Sequence, residues 1–367
     1  MYKSFNISDF RCFENFFIEN LDRINLIVGK NNVGKTALLE AIFLHCGAYN
    51  PELAFRVNAF RGIESIKIEL TGWSETPWDS LFHNFDSTRT IEISGENNIS
   101  GIKRLRIKIP RKPAELKKIS YFLSKHEARL KEEPNVYKSS PWQIETAKIL
   151  EFTFEHKNRI STSFMILDQK GIRISPFPTP PPFPAFFQAS RIKIPFKEEA
   201  ERFGKLEMDG KQSLLLETLK IIEPRLTRLF ILVSGGEPIL HGELGTGRPV
   251  PLPLMGEGMV KMANIILHIA NATNGVVLID EIDNGLHHSI LKKAWEAIAD
   301  AARTFNTQIF ASTHSMDCII AAHEAFSDSE LYDFKLHRLQ REGTIIKTIT
   351  YDRKTLNAAI TSELEVR

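Results

Sequence analysis

"GKNNVGKT", residues 29–36, decides the fold. It fits the pattern G-x-x-x-x-G-K-[ST] at every fixed point, through Gly29, Gly34, Lys35 and Thr36, with Lys30, Asn31, Asn32 and Val33 between them. The flanks agree. "RINLIV" before it is an apolar run of strand length, and "ALLEAIFLHC" after it sets Leu38, Leu39, Ile42 and Phe43 on one helical face. In a strand–loop–helix context the glycines let the backbone curl, so that successive N–H groups point inward at phosphate oxygens. The helix starting near Lys35 adds the positive end of its dipole. Lys35 is then placed for the β- and γ-phosphates of a nucleoside triphosphate, and Thr36 for Mg²⁺.

Such a loop needs a second strand ending in an acid. "VVLIDEIDNGLHHS", residues 276–289, offers one, though by itself it reads in more than one way. Its acids and histidines suit a metal site, a proton-transfer site or the acid strand of a phosphate-loop protein. A zinc or two-metal site built from Glu281, His287 and His288 is the rival reading. It needs both histidines on one ion, and adjacent residues in helix or strand point in different directions. Beside the phosphate loop, Asp280 takes the Mg²⁺ shell and Glu281 becomes the general base that polarises the attacking water. A third strand end, "QIFASTHS" at residues 308–315, puts His314 where it can contact the γ-phosphate. Lys35, Thr36, Asp280, Glu281 and His314 are therefore expected to converge on one triphosphate.

The bulk numbers bound this reading without adding to it. A chain of 367 residues, 43% hydrophobic and 25% charged, has room for a sizeable core in one large domain or two lobes. A formal charge of +2 does not announce a nucleic-acid binder, so any such contact must be local. Cys12, Cys46 and Cys318 fit neither a disulfide framework nor a zinc spacing, which favours a reducing compartment. No apolar run reaches the ~18 residues that span a bilayer, and "MYKSFNISDFRCF" lacks the apolar stretch of a signal peptide. A cytoplasmic protein without membrane contact is expected.

Along the chain, "SIKIEL", "TIEISG", "KRLRIKI" and "ILEFTFEH" alternate as strands, interrupted by a helical insertion over 114–132. "SPFPTPPPFP", residues 175–184, can be neither helix nor central strand and reads as a connector. "RLFILVSGGEPILHGELG" predicts a hairpin, and "EGMVKMANIILHIA" a helix. "VVLID" and "QIFAST" are unalternated strands with an amphipathic helix between them, a βαβ unit in a buried parallel sheet. The fold class is α/β, a P-loop NTPase whose mainly parallel core sheet carries a β-rich lobe and a helical lobe. One head over 1–367 is expected to divide into about 1–175, a helical lobe at 185–275, and 276–367 with the acid strand, the histidine strand and C-terminal strands.

More than two hundred residues separate the phosphate loop from the acid strand. That layout, with "FNISDFRCFENF", "GKNNVGKTALLEAI", "LIDEIDNGLHHS" and "QIFASTHS", resembles the ABC-like AAA family ATPases of the RecF, SMC and overcoming-lysogenization-defect (OLD) type. The resemblance implies that ATP is the nucleotide and that two heads sandwich two ATPs, as a homodimer or higher even oligomer. It implies that Asp283 begins a D-loop over 283–287. "LMGEGMVKM" then stands at the signature motif, with Gly256, Glu257 and Gly258 at a helix N-terminus facing the partner's γ-phosphate. The usual signature serine is absent, so backbone N–H groups are left to make that contact. Gln188 is the candidate for the Q-loop, and Arg11 is placed near the nucleotide by the same analogy.

The chain has no long coiled-coil arm, and about fifty residues after His314 leave no room for a TOPRIM nuclease domain. A standalone head is expected, controlling a partner nuclease or other effector in defence against phage or foreign DNA. The alternative is a RecF-like repair ATPase that binds DNA itself. Its candidate surface is the face carrying Arg104, Arg106 and Lys108, extended by Lys112, Lys117 and Lys118; the plainer reading is a solvated strand face.

Overall fold

The structure is a computed structural model that describes residues 1–62, 76, 78–130, 147–168 and 171–367. The expected strand "SIKIEL" and the last two residues of the expected 114–132 helix lie outside the described residues. The chain opens with β1 (Tyr2–Phe10), β2 (Phe13–Ile18), β3 (Ile24–Val28), α1 (Lys35–Cys46) and α2 (Leu53–Ala59). Next come β4 (Ile91–Asn97), β5 (Gly101–Lys108), α3 (Pro113–Leu130), β6 (Lys148–His156), β7 (Arg159–Asp168), β8 (Gly171–Ser175) and β9 (Ala185–Gln188). The middle holds α4 (Phe196–Met208), α5 (Gln212–Lys220), β10 (Arg228–Ser234), β11 (Glu237–Glu243), β12 (Pro249–Pro251) and α6 (Glu257–Asn271). The end holds β13 (Val276–Ile279), α7 (Leu291–Thr304), β14 (Gln308–Ser312), α8 (Met316–Ser327), β15 (Phe334–Glu342), β16 (Ile345–Tyr351) and α9 (Arg353–Thr361).

One compact unit comprises Met1–Lys3, Ile18–Leu39 and Phe183–Arg367, so residues 185–275 and 276–367 fall in the same unit. Its six-stranded sheet runs β9-β13-β14-β3-β15-β16. All neighbours from β9 to β15 are parallel, and β16 is an antiparallel edge. Every residue of β3, β13 and β14 is buried, which is why these strands read as apolar runs without alternation. Each fully buried Leu, Ile or Phe among them contributes ~1.5–3 kcal/mol over an exposed one. The register sets Ile279 beside Ala311 and Ser312 beside Ile27, so the loops after β3, β13 and β14 leave the sheet at one edge. The helix between β13 and β14 buries Leu291, Ala294, Trp295 and Ile298, the stripe its sequence predicts, while Ile290 sits in a short 3₁₀ turn before it.

In the hairpin of β10 and β11, Ser234 faces Glu237, which leaves the two residues Gly235 and Gly236 to turn the chain. Both have positive φ (59° and 85°), as a type I′ turn requires. Residues 176–184 form neither helix nor strand.

The second unit comprises Ser4–Phe17 and Glu40–Pro182. Its seven-stranded sheet runs β2-β1-β4-β5-β6-β7-β8, antiparallel throughout from β4 to β8. Ile119 and Leu123 of α3 bury themselves with Ile149, Phe164 and Ile166.

Leu38, Leu39, Ile42 and Phe43 of α1 are buried, and so are its polar residues Glu40 and His45. Its polar residues carry their own partners. Glu40, fully buried, accepts from Arg11 Nε at 3.1 Å and Arg61 Nε at 2.6 Å. His45 shares a 3.0 Å hydrogen bond with the Lys103 carbonyl; burial pushes its pKa down to about 4, so it stays neutral. Among the described residues, no helix is long and apolar enough to cross a membrane.

Candidate active site

The loop after β3 is shaped by contact with β15. Gly29 has φ +142°, and a Cβ there would lie 2.5 Å from the Leu339 carbonyl and 2.9 Å from Val33 Cγ1. Only glycine fits. Lys35 opens α1, and its Nζ donates to the carbonyls of Gly29 (2.7 Å) and Lys30 (3.1 Å). Burial pushes its pKa down to about 8, against the pull of Asp280 and Glu281. The outer wall of the loop, Lys30 to Val33, lines a cavity of about 270 Å³ with Arg338, Arg341 and Arg367 opposite. The surroundings of the loop are therefore cationic, as an anion-binding region should be.

The acids arrive from β13. Thr36 Oγ1 donates to the carboxylate of Asp280, at 3.1 and 3.3 Å from its two oxygens, across 244 residues of sequence. Ser312 at the end of β14 donates from Oγ to Asp280 Oδ1 (2.6 Å) and accepts from the Glu281 backbone N–H (2.9 Å). One hydroxyl thus holds both acids. Glu281 sits at φ +51°, a left-handed conformation that costs a non-glycine residue ~1–3 kcal/mol unless its surroundings enforce it. Its carboxylate accepts from Asn284 Nδ2 at 2.6 Å, and its carbonyl accepts from Lys261 Nζ at 3.0 Å. Asp283 accepts from Thr313 Oγ1 at 2.6 Å.

His314 follows from the same strand end. Its Nδ1 lies 3.2 Å from Lys35 Nζ. Burial, and then the Lys35 charge, lower its pKa, which keeps the ring neutral near pH 7. An ammonium only donates, so Nδ1 accepts and the ring proton resides on Nε2. His314 accordingly presents an N–H donor on its far side.

The structure brings together the five residues expected to converge. Gly256, Glu257 and Gly258 are elsewhere on the acid loop's flank. Gly256 is the N-cap of α6 with φ +114°, and a Cβ on Gly258 would lie 2.7 Å from the Gly285 carbonyl. The turn is thus packed against residues of the loop that begins at Asp283. Gln188 ends β9 beside Ile279, where its carbonyl accepts from the Asp280 N–H at 2.9 Å. Its side chain faces His268 at 3.4 Å.

Arg11 is engaged by Glu40, by Asn58 Oδ1 at 2.8 Å and by the Ser80 carbonyl at 3.1 Å. Other expectations need correction. His287 and His288 do not point apart: a short 3₁₀ turn leaves their rings 4.1 Å between centroids. His287 Nδ1 is instead 2.9 Å from Ser289 Oγ. Among the described residues, no group of three or more His, Cys, Asp or Glu is placed to hold a metal, so the zinc reading has no ligand set. The basic face of β5 is compensated. Arg104 and Arg106 each pair with Glu92 (2.9 Å) and lie near Glu155, and Lys108 pairs with Glu115 and Glu151. These three cations thus meet four carboxylates, one of which, Glu115, comes from α3.

Two residues escaped the sequence reading, and both left a signal. Ser312 is a polar residue closing an apolar strand, inside the segment 308–315 already singled out. Lys261 is the one lysine or arginine in a mostly apolar helix. The donor set at Thr36 and Asp280, a hydroxyl and a carboxylate in contact, is all hard oxygen and fits Mg²⁺.

A phosphate loop after one parallel strand, an acid pair after the next but one, and a histidine after the strand between them define an ABC-like P-loop ATPase. The chain belongs to the family described as "AAA domain, putative AbiEii toxin, Type IV TA system", whose profile matches residues 24–319. It is similar to an "ATP/GTP phosphatase" of Helicobacter pylori, at 22% identity over 96% of this chain and 95% of that protein. Its fold is similar to an SMC head solved in complex with the C-terminal winged-helix domain of ScpA. The TM-score is 0.50 at 10% identity, covering 98% of this chain and 99% of that one.

Proposed function

We propose that this ATPase is an ATP-gated switch that controls a separately encoded effector. The observation that carries it is the contact of Thr36 with Asp280, which joins the phosphate loop to the acid strand across 244 residues. In this reading the loop amides of residues 29–36 and Lys35 hold the triphosphate. Thr36 and Asp280 hold Mg²⁺, which when bound withdraws charge from the phosphate oxygens. Glu281 takes a proton from the attacking water. Ser312 and Asn284 fix Glu281 in place, and His314 offers its Nε2–H toward the γ-phosphate. With its pKa near 8, Lys35 is already largely an ammonium near pH 7, and a bound phosphate favours that charged form.

Two heads are proposed to close on ATP, with Gly256, Glu257 and Gly258 of each presented to the other's nucleotide, and with Asp283 leading the loop that crosses between them. The name of the relative supports nucleotide hydrolysis. The solved SMC head with a bound ScpA domain supports a partner protein. The OLD-type layout favours a TOPRIM nuclease as that partner, acting in the cytoplasm against phage or foreign DNA. A toxin partner is the second reading, favoured by the family description. Direct DNA binding is disfavoured by the compensated charges around Arg104 and Arg106.

Glu281→Gln tests the core of this. Removing the general base should slow phosphate release by ~10²–10⁴-fold and leave an ATP-dependent dimer that persists on gel filtration. A variant that turns over as fast as wild type refutes the assignment. Co-purification from cells, with and without that variant, identifies the effector.

A further inference from the structure

We propose that Lys261 is a positioning residue for ATP hydrolysis, tying the first turns of α6 to the backbone that aims Glu281. The inference rests on the reading of Glu281 as the general base.

Glu281 stands at φ +51°, and the conformation is gripped from two sides. On the β14 side, Ser312 Oγ holds the Glu281 N–H at 2.9 Å. On the α6 side, Lys261 Nζ donates to the Glu281 carbonyl at 3.0 Å and reaches the Asp280 carbonyl at 3.5 Å. Both peptide groups of Glu281 are thereby fixed, and the side chain leaves the chain in one direction. Lys261 is not an incidental neighbour. It is held partly out of water, which lowers its pKa, among Asp280, Asp283, Glu281 and Glu257. An ammonium kept there has its charge offset by those acids and donates to the carbonyls just after β13, that of Glu281 also accepting from the Asn284 N–H at 3.1 Å.

The other end of the tie gives the arrangement its consequence. Lys261 lies one turn beyond Gly256 and Gly258, and Gly258 abuts the Gly285 carbonyl so closely that a Cβ would lie 2.7 Å from it. The first turns of α6 and the acid loop therefore shift together or not at all. Whatever engages the α6 N-terminus acts through Lys261 on the peptide that orients the base. Lys261 acts through Glu281, whose carbonyl it holds.

The test is Lys261→Met, with Lys261→Arg as the conservative partner and Lys261→Gln read in the same way should Met prevent folding. Phosphate release and equilibrium ATP binding are measured for each, alone and combined with Glu281→Gln under single-turnover conditions. Lys261→Met should lower kcat ~10–100-fold with KM and ATP affinity unchanged, and Arg should recover most of the loss. In the Glu281→Gln background the same change should add little, because two residues acting as a unit are not additive. The inference is overturned by a normal kcat, by a fall in affinity that accounts for the loss, or by a loss that persists in full without the glutamate. Normal turnover in Glu281→Gln alone instead overturns the base assignment. A crippled Glu281→Gln beside a normal Lys261→Met overturns this inference only.

Discussion

Ser312→Ala isolates the placement of the acid pair from the acids themselves. The change removes one oxygen from a fully buried position and adds no bulk. Two interactions go with it: the 2.6 Å donation to Asp280 Oδ1 and the 2.9 Å acceptance from the Glu281 N–H. Losing a hydrogen bond to a charged group costs ~1.5–3 kcal/mol, and a buried donor left without a partner costs ~1–3 kcal/mol. Asp280 keeps the Thr36 hydroxyl at 3.1 Å, so the carboxylate is loosened rather than freed. Glu281 keeps Lys261 on its carbonyl but loses the bond that pins its N–H. A supporting partner of this kind is worth ~10–100-fold in activity, about 1.4–2.7 kcal/mol, which lies within the range of the lost contacts. The assay is steady-state phosphate release at saturating Mg·ATP, beside an unfolding curve. Thr313→Ala, whose hydroxyl serves Asp283, should lower turnover less. If Ser312→Ala folds and hydrolyses ATP at the wild-type rate, the claim that this hydroxyl aims the acids is wrong.

The protonation of Lys35 makes a second prediction. Its free-state pKa near 8 lies below the usual lysine value, and phosphate binds the charged form. Below pH 8 the ammonium is already present, whereas above it binding must take up a proton. ATP affinity should fall about tenfold per pH unit above that point, with proton uptake visible as a buffer-dependent heat in calorimetry. A flat affinity from pH 7 to 9.5 contradicts it. Glu40→Ala should strand the guanidinium of Arg11 in a largely buried setting and cost ~3–5 kcal/mol of stability in denaturant unfolding, with Glu40→Gln costing less.

The parts of this protein that sequence reveals are those whose local chemistry is dictated by a ligand. A loop that must wrap phosphate needs Gly29 and Gly34, and strands buried on both faces need unbroken apolar runs, so both show in a single pass. The amphipathic stripe of α7 is legible for the same reason: one side of it meets the sheet and the other meets water. What failed was decided by partners remote in the chain. That Glu40 of α1 is fully buried shows only once Arg11 and Arg61 are seen to meet it. The basic strip of β5 looks unopposed because Glu92 and Glu155, on the flanking strands, are its ion-pair partners through register alone. His287 and His288 diverge in any regular helix or strand, but the chain there forms neither. Ser312 and Lys261 were visible as residues, yet a hydroxyl at a strand end and a cation in an apolar helix acquire meaning only when the acid loop is seen between them.

That loop also explains why activity should be more fragile than stability here. A left-handed Glu281 stores ~1–3 kcal/mol, and the hydrogen bonds from Ser312 and Lys261 are of the size needed to hold it. Remove either, and the peptide gains the option of relaxing to an ordinary conformation. The relaxation offsets much of the lost bonding energy, so the fold registers little. The direction of the carboxylate has no such compensation. A base must lie within hydrogen-bond reach of the water it activates, and a peptide rotation of tens of degrees carries it out of reach. Strain released into the backbone is therefore strain taken from the chemistry. The contacts around residues 280–286 should accordingly split cleanly in experiment, with large changes in turnover accompanied by small changes in melting.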